Sequence, residues 1–304
     1  MSKLVVVLGP TASGKTLFAV NLAQHYNGEI ISADSRQIYR GMDIGTGKDL
    51  DEYKINDQII PYYLIDIINP QDNYSVYDYK NDFLKTYKKI SKQNNLAILC
   101  GGTGLYIESI LLDYKMSDAP PNLELRNQLE NKTLSELIEE IKINHISSYD
   151  INFHVTKRRI IRTIEIVLYD NKNIDNKKNS TAQINSLVLG IKLERDIVLK
   201  NIKRRLETRL NEGMIDEVKK LIDKGLTLER LKYFGLEYKF IGEYLFNKIS
   251  YNSMKEKLNF AINRFAKRQM TFFRRMEKRG VNINWIDSDD SSKIYNQINQ
   301  FINS

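Results

Sequence analysis

"KLVVVLGPTASGKT", residues 3–16, sets an apolar run of strand character directly before a glycine-bounded loop and a helix-forming stretch. Gly9, Gly14, Lys15 and Thr16 satisfy the pattern G-x-x-x-x-G-K-[ST]. Glycines at those spacings let backbone N–H groups turn inward around phosphate oxygens, the lysine supplies a point charge, and the hydroxyl can hold Mg²⁺. A helix N-terminus at the same place adds partial positive charge. Gly9, Pro10, Thr11, Ala12, Ser13, Gly14, Lys15 and Thr16 are therefore expected to bind a diphosphate or a nucleotide such as ATP. Thr16 is the expected metal-facing residue and Mg²⁺ the expected ion. Such a loop specifies polyphosphate binding and leaves the reaction open among hydrolysis, phosphoryl transfer and departure of a diphosphate as leaving group.

Outward from the loop, strands and helices alternate. A helix is expected from Lys15 to Tyr26, then a strand in "GEIISADS" ending at Asp34, and a third strand in "PYYLIDI". Ser75 and Asp78 form a capping box for a helix over roughly 76–93. "NLAILCGG" runs as a strand into a glycine turn, and "GLYIESILL" follows as a helix. This alternation, with a phosphate loop after the first strand, predicts an α/β fold: a P-loop NTPase-like, doubly wound parallel sheet. After "DAPPN" the pattern turns helical from about Leu123 to Ile166, with Thr133 and Glu136 as a second capping box. Residues 169–185 are a polar, Asn/Lys-rich connector. "SLVLGIKL" returns as a strand, and two long amphipathic helices follow. Ile202, Leu206 and Leu210 mark one face of the first; the second is expected to start at Ser253 and Glu256. The expected organisation is an α/β core over 1–114, a mainly helical insert over 115–185, and a return strand with basic C-terminal helices over 186–304.

The chain has 304 residues, 42% of them hydrophobic, one cysteine and a net charge of +8. No apolar run approaches the ~18 residues of a membrane span. With no signal pattern before "KLVVVLGP", a soluble, cytoplasmic location away from membranes is expected. Cys100 alone excludes an intramolecular disulfide and a multi-cysteine zinc site. Charge is uneven: residues 1–150 carry 15 Lys+Arg against 20 Asp+Glu, net −5, and residues 151–304 carry 31 against 18, net +13. Between 255 and 279, nine basic residues stand against two acidic ones. That asymmetry points to a polyanionic partner docking on the second half. His25, His145 and His154 show no ligand spacing.

A nucleotide hydrolase needs an aspartate at a strand end to hold Mg²⁺ and a residue that positions water. Asp34 and Asp66 are candidates for the first, yet neither is followed by the acidic residue of an ATPase.

"ADSRQIYRGMDIGTGK" (33–48), taken with "GPTASGKT", "GGTGLY" (101–106), "RRIIRTIE" (158–165), "NEGMIDEV" (211–218) and "AKRQMTFFR" (266–274), resembles the tRNA dimethylallyltransferase (tRNA isopentenyltransferase) family, in the family's order. The resemblance implies transfer of a dimethylallyl group from dimethylallyl diphosphate to N6 of adenosine 37, in the tRNA anticodon loop, with diphosphate released. The phosphate loop would then hold a leaving group.

An exocyclic adenine amine is a poor nucleophile, and a carboxylate that accepts its proton assists it. By its match to the family's "DSRQ" motif, Asp34 is the expected base; capping the next helix or ordering the Mg²⁺ shell is the other role open to it. Thr103 resembles the family threonine near the reacting centre. Arg205 falls where the family has an arginine clamping diphosphate, with Arg204 as the alternative contact. For tRNA, the resemblance implies Asp34, Ser35, Arg36, Gln37, Thr103, Arg126, the segment Arg158, Arg159, Ile160, Ile161 and Arg162, and Lys267, Arg268 and Gln269. Tyr106, Phe265, Phe272 and Phe273 either stack on bases or belong to the core. A monomer is expected. A free-nucleotide adenylate isopentenyltransferase and a small-molecule kinase are the competing functions; the basic second half argues against the first.

Several segments depart from the family: "PYYLID" replaces "PHHLID", "GTGK" replaces "GTAK", "GLEYK" replaces "GYKE", and the connector replaces a Thr-Gly-x-Pro turn. No Cys/His module follows the last helix, so a zinc-finger extension is not expected.

Overall fold

Leu4–Leu8 form strand β1, wholly buried along its length. An unbroken apolar run without polar alternation is what a strand covered on both faces requires. The computed structural model describes residues 3–143, 156–172, 184–286 and 291–304. His145, His154 and residues 173–183 of the 169–185 connector lie outside them; residues 169–172, expected to be irregular, continue the helix Lys157–Lys172 instead.

Two units divide the chain, one of Met1–Tyr114 with Ala182–Ser304, the other of Lys115–Thr181. In the first, β1 leads through the phosphate loop into α1 (Lys15–Tyr26) and β2 (Gly28–Ser32). A 3₁₀ turn at Leu50–Tyr53 precedes the short hairpin of β3 (Lys54–Ile55) and β4 (Gln58–Ile59), then β5 (Tyr62–Tyr63). Next come α2 (Val76–Lys92), β6 (Leu96–Gly101) and α3 (Gly104–Leu111). The second unit holds α4 (Leu123–Glu130), α5 (Leu134–Ile143) and α6 (Lys157–Lys172). The chain re-enters the first unit with β7 (Ser186–Ile191), α7 (Arg195–Asn211), α8 (Met214–Asp223), α9 (Leu228–Phe234), α10 (Leu236–Leu245), α11 (Tyr251–Lys278), β8 (Ile283–Ile286) and α12 (Ser291–Asn303).

The main sheet has the order β5-β2-β6-β1-β7-β8, and every pairing in it is parallel. This is the doubly wound sheet that the sequence predicts. Leu4 sits between Ala97 of β6 and Ser186 of β7, so β1 is central. Its side chains alternate between two cores. Leu4, Val6 and Leu8 pack with Tyr79, Phe83, Ile107 and Phe273, whereas Val5 and Val7 pack with Ala19, Leu22, Ile294 and Ile298. Each such buried aliphatic contributes about 1.5–3 kcal/mol relative to exposure. A third core joins the helices α7 to α11 to Ile38, Tyr39 and Met42.

The capping box at Ser75 and Asp78 is present, as is the reciprocal pair of Thr133 and Glu136. Two local expectations are corrected. The third strand is only two residues long, because Leu64 and Asp66 take φ of 61° and 55°, a left-handed backbone that leaves the ladder. Helix α11 starts at Tyr251, capped by Ser250, whose hydroxyl accepts from the Ser253 N–H at 3.3 Å; Ser253 is the third residue of the helix and not its cap.

In the second unit, Leu129, Leu137, Ile141, Ile160, Ile161 and Ile164 form a separate small core. Arg126 donates through Nε and Nη2 to the buried Glu165 at 2.7 and 2.8 Å, and Arg162 donates to the same carboxylate at 3.1 Å.

Candidate active site

The carboxyl ends of β1, β2 and β6 open on one cleft of about 710 Å³ in the first unit. That is where a parallel sheet with this winding presents ligands. The phosphate loop borders it with Thr11, Ala12, Gly14, Lys15 and Thr16, the segment after β2 with Asp34, Ser35, Arg36 and Gln37, and the turn after β6 with Thr103.

Strand ends and loops are held together at the atomic level. Ala33 donates its N–H to Cys100 at 2.7 Å, and Thr103 donates back to the Ala33 carbonyl at 3.0 Å. Gly101 makes this approach feasible, since any Cβ there would overlap the Ala33 main chain. The Thr103 hydroxyl accepts from the Ser35 N–H at 3.0 Å, and the Asp34 Oδ1 accepts from the Arg36 N–H at 3.0 Å. Asp34 is thereby presented on a locally closed turn, with its second carboxylate oxygen left for a ligand.

Lys15 lies on the loop with its ammonium directed at the Pro10 carbonyl, 3.4 Å away. Burial pulls its pKa below the ordinary lysine value; Cys100 and Asp34 oppose that, and Arg205 adds to it. Burial in turn pushes the Cys100 thiol up to about 12, so this cysteine stays protonated and unreactive at neutral pH.

Gln269 of α11 is buried and makes two bonds: its Oε1 accepts from the Thr11 N–H at 2.8 Å, and its Nε2 donates to the Gly102 carbonyl at 2.9 Å. It ties the phosphate loop to the β6–α3 turn. Gln37 likewise receives the Ser32 hydroxyl at 2.9 Å and donates to the Gly47 carbonyl at 2.9 Å. The Arg36 guanidinium lies 5.1 Å from the Phe265 ring centroid, and Arg268 approaches the same ring at 5.8 Å. Both are within cation–π range. Phe265 and Phe272 line the cleft, whereas Tyr106 stacks on Tyr79 at 3.8 Å in the core and Phe273 is fully buried there.

The other strand-end carboxylate is not in the cleft. Asp66 pairs with the ammonium of Lys48, which is fully buried and also meets Asp43 at 2.6 Å. The expectation of Asp66 as a candidate Mg²⁺ holder is thereby corrected: its charge already neutralises a buried lysine.

Four cleft residues escaped the sequence reading. Asp49 pairs with both Arg205 and Arg209. Glu52 sits nearby, its pKa raised by burial and by the Asp49 charge. Glu237 is buried, with Oε2 at 3.7 Å from Arg36 and no hydrogen bond. The "GTGK" departure has a steric reason here: a Cβ on Gly47 would collide with the Arg209 guanidinium.

The donor set suits Mg²⁺. Thr16, Asp34 and Glu52 offer hard oxygens in one cleft, and no cluster of three or more His, Cys, Asp or Glu forms a dedicated cage among the described residues. Mg²⁺ keeps several waters and is shared between one or two protein oxygens and substrate phosphates.

On α11, Lys267, Arg268, Arg264, Arg274, Arg275, Lys278 and Arg279 are exposed, and Arg275 and Arg279 also reach the buried Glu108 at 2.6 and 3.1 Å. In the second unit Arg158 and Arg159 are exposed, while the Ile160 and Ile161 side chains fill the core. No helix among the described residues is long and apolar enough to cross a membrane.

Residues 37–276 match the family model described as IPP transferase. The tRNA dimethylallyltransferase 1 of Parabacteroides distasonis is 50% identical over 289 residues, covering 94% of this chain and 92% of that protein. The tRNA dimethylallyltransferase 1 of Azobacteroides pseudotrichonymphae is 48% identical, with 97% of each chain covered. Among solved structures, the full-length tRNA isopentenylpyrophosphate transferase from Bacillus halodurans is 33% identical with a TM-score of 0.70, over 99% of this chain and 96% of that one. A eukaryotic dimethylallyltransferase acting on tRNA has a TM-score of 0.77 at 21% identity, covering 96% of this chain and 75% of that one; it bears on the fold alone.

Proposed function

This chain belongs to the IPP transferase family, and from that premise we propose that it transfers a dimethylallyl group from dimethylallyl diphosphate to N6 of adenosine 37 in tRNA. One observation carries the proposal: a phosphate loop and the strand-end carboxylate of Asp34 face a single cleft. A leaving diphosphate and an attacking amine need those two groups side by side.

In the reaction, the N6 lone pair forms a bond to C1 of the allyl group as the C1–O bond breaks, and the electron pair leaves with diphosphate. The N6 proton passes to Asp34, a role worth about 10²–10⁴-fold in rate. Lys15, the loop N–H groups and Arg205 stabilise the charge that grows on the leaving oxygens. Thr16, with Asp34 near it, would hold Mg²⁺, which when bound supplies further charge neutralisation on the diphosphate. Thr103 orders the 33–35 turn through Ser35 and so fixes the direction of the base.

Reaching an adenine amine within a stacked loop requires extruding the base. Exposed arginines and lysines on α11, together with Arg158 and Arg159, support a polyanionic RNA partner. The Arg36–Phe265–Arg268 stack offers a sequence-tolerant surface for a splayed base.

Single-turnover transfer of labelled dimethylallyl, offered tRNA and AMP in separate reactions with Mg²⁺, tests this. Label on a tRNA adenosine alone is expected. Label on AMP would move the protein to free-nucleotide prenylation, and label on neither would return the cleft to phosphoryl transfer.

A further inference from the structure

Beside Arg205 lie two charged residues to which no step above gives a task, Arg209 and Asp49. Arg205 and Arg209 are one turn apart on α7, so their side chains emerge on the same face. Both guanidinia meet the carboxylate of Asp49, Arg205 through a short Nη2 contact and Arg209 through Nη2 at 3.1 Å. The three residues line the same cleft as Lys15. Arg205 and Arg209 also flank Thr11 and Ala12 of the phosphate loop around a smaller cavity. The Arg209 side chain is only 13% exposed.

Two like charges this close repel unless an anion stands between them. Repulsion by Arg205, after burial, depresses the pKa of Arg209, and Asp49 opposes that. Asp49 is held in place from its own main chain: it opens the Leu50–Tyr53 turn with φ of 45°, a left-handed backbone uncommon for a residue other than glycine. Gly47 completes the arrangement, since a side chain there would occupy the space of both guanidinia. Asp49 takes one nitrogen from each arginine, and a guanidinium carries five donors. The remaining donors of the pair stay available beside the loop.

Resting on the diphosphate role assigned to the phosphate loop above, we infer that Arg209 is a second diphosphate-binding arginine and that Asp49 is the positioning residue that holds Arg205 and Arg209 together as a clamp. The growing charge of a departing diphosphate is then met by Lys15 and two planar forks, a geometry suited to paired phosphate oxygens.

The test is calorimetric binding of inorganic diphosphate with Mg²⁺, alongside KM and kcat for dimethylallyl diphosphate, on the full chain and on Arg209→Met, Arg209→Lys and Asp49→Asn. Arg209→Met is expected to weaken diphosphate binding about 10–100-fold, the loss of charge-assisted hydrogen bonds. Arg209→Lys is expected to lie between it and the unaltered chain, which guards against misfolding as the cause. Asp49→Asn is expected to raise KM for the diphosphate substrate roughly 3–10-fold with tRNA affinity held within about twofold, the effect of disordering the forks. A purely structural role for Asp49 would instead lower the melting temperature and tRNA affinity together. Tighter diphosphate binding by Asp49→Asn would overturn the inference, because Asp49 would then be a competitor of the ligand. So would Arg209→Met binding diphosphate like the unaltered chain. Failure of the unaltered chain to bind diphosphate would instead remove the phosphate-loop assignment itself, and this inference with it.

Discussion

Gln269 is the residue at which a structural and an RNA-contacting role make opposite predictions. Truncation to alanine strips the Thr11 N–H and the Gly102 carbonyl of the partners they meet at 2.8 and 2.9 Å. Each group left unsatisfied when buried costs about 1–3 kcal/mol. Thr11 is partly open to the cleft and can recruit water, so its share lies at the low end, whereas the Gly102 side is buried. The sum expected for Gln269→Ala is about 2–3 kcal/mol. For a unit of this size that corresponds to a fall of roughly 4–12 °C in melting temperature. The loop also loses its tether, so KM for dimethylallyl diphosphate is expected to rise about tenfold or more. Gln269→Glu keeps the acceptor for Thr11 but loses the donor to Gly102 and sets a negative charge beside the diphosphate site. It should therefore bind diphosphate more weakly still and, with a buried carboxylate set against the Gly102 carbonyl oxygen, melt lower than the alanine variant. Thermal unfolding, diphosphate titration and tRNA binding on the three proteins decide the matter. A Gln269→Ala protein that melts like the unaltered chain, binds diphosphate normally and loses tRNA would refute the bracing role.

Asp34→Asn is expected to lower single-turnover transfer by about 10²–10⁴-fold with tRNA affinity within a few fold; equal losses of rate and affinity would make Asp34 a docking residue. Reversing Arg158 and Arg159 to Glu should weaken tRNA binding and reduce the slope of log affinity against log salt by about one to two; an unchanged slope would leave those side chains as solvated surface. Because burial depresses the Lys15 pKa below 10.5, diphosphate affinity should fall as pH rises, starting below the ordinary lysine range. The direction follows from loss of the ammonium charge, and a Lys15→Met protein should lack that step in its pH profile.

What the sequence displays is whatever depends on near neighbours along the chain. The phosphate-loop pattern stands out because it is written in eight consecutive residues, and the helix after it begins and ends where expected, Lys15 to Tyr26. The capping boxes are legible for the same reason, their partners lying three residues apart. Ser253 misleads because Ser250, an equally good cap, stands one turn earlier. The bracing by Gln269 joins residues 258 apart, and Asp49 meets Arg209 across 160. No local pattern encodes such pairs. Arg275 and Arg279 illustrate the same limit on charge: in a basic helix they look identical to Lys267, yet they terminate on the buried Glu108 of α3. The strand Ile283–Ile286 is too short to stand out from its surroundings, and only its ladder with β7 defines it.

The position of the second unit within the chain has a consequence for synthesis. β1 pairs with β6 on one side, and that ladder is complete once Gly101 has been made. Its other side belongs to β7, which ends at Ile191, about 90 residues later. At the roughly 5–20 residues per second of translation, the most apolar strand of the protein has no partner along one edge for on the order of 5–20 s. An open hydrophobic strand edge invites pairing with other chains. The nascent protein is therefore most vulnerable to aggregation while the ribosome is making the helical insert, and a slow codon stretch there would lengthen that window more than one placed after Ile191.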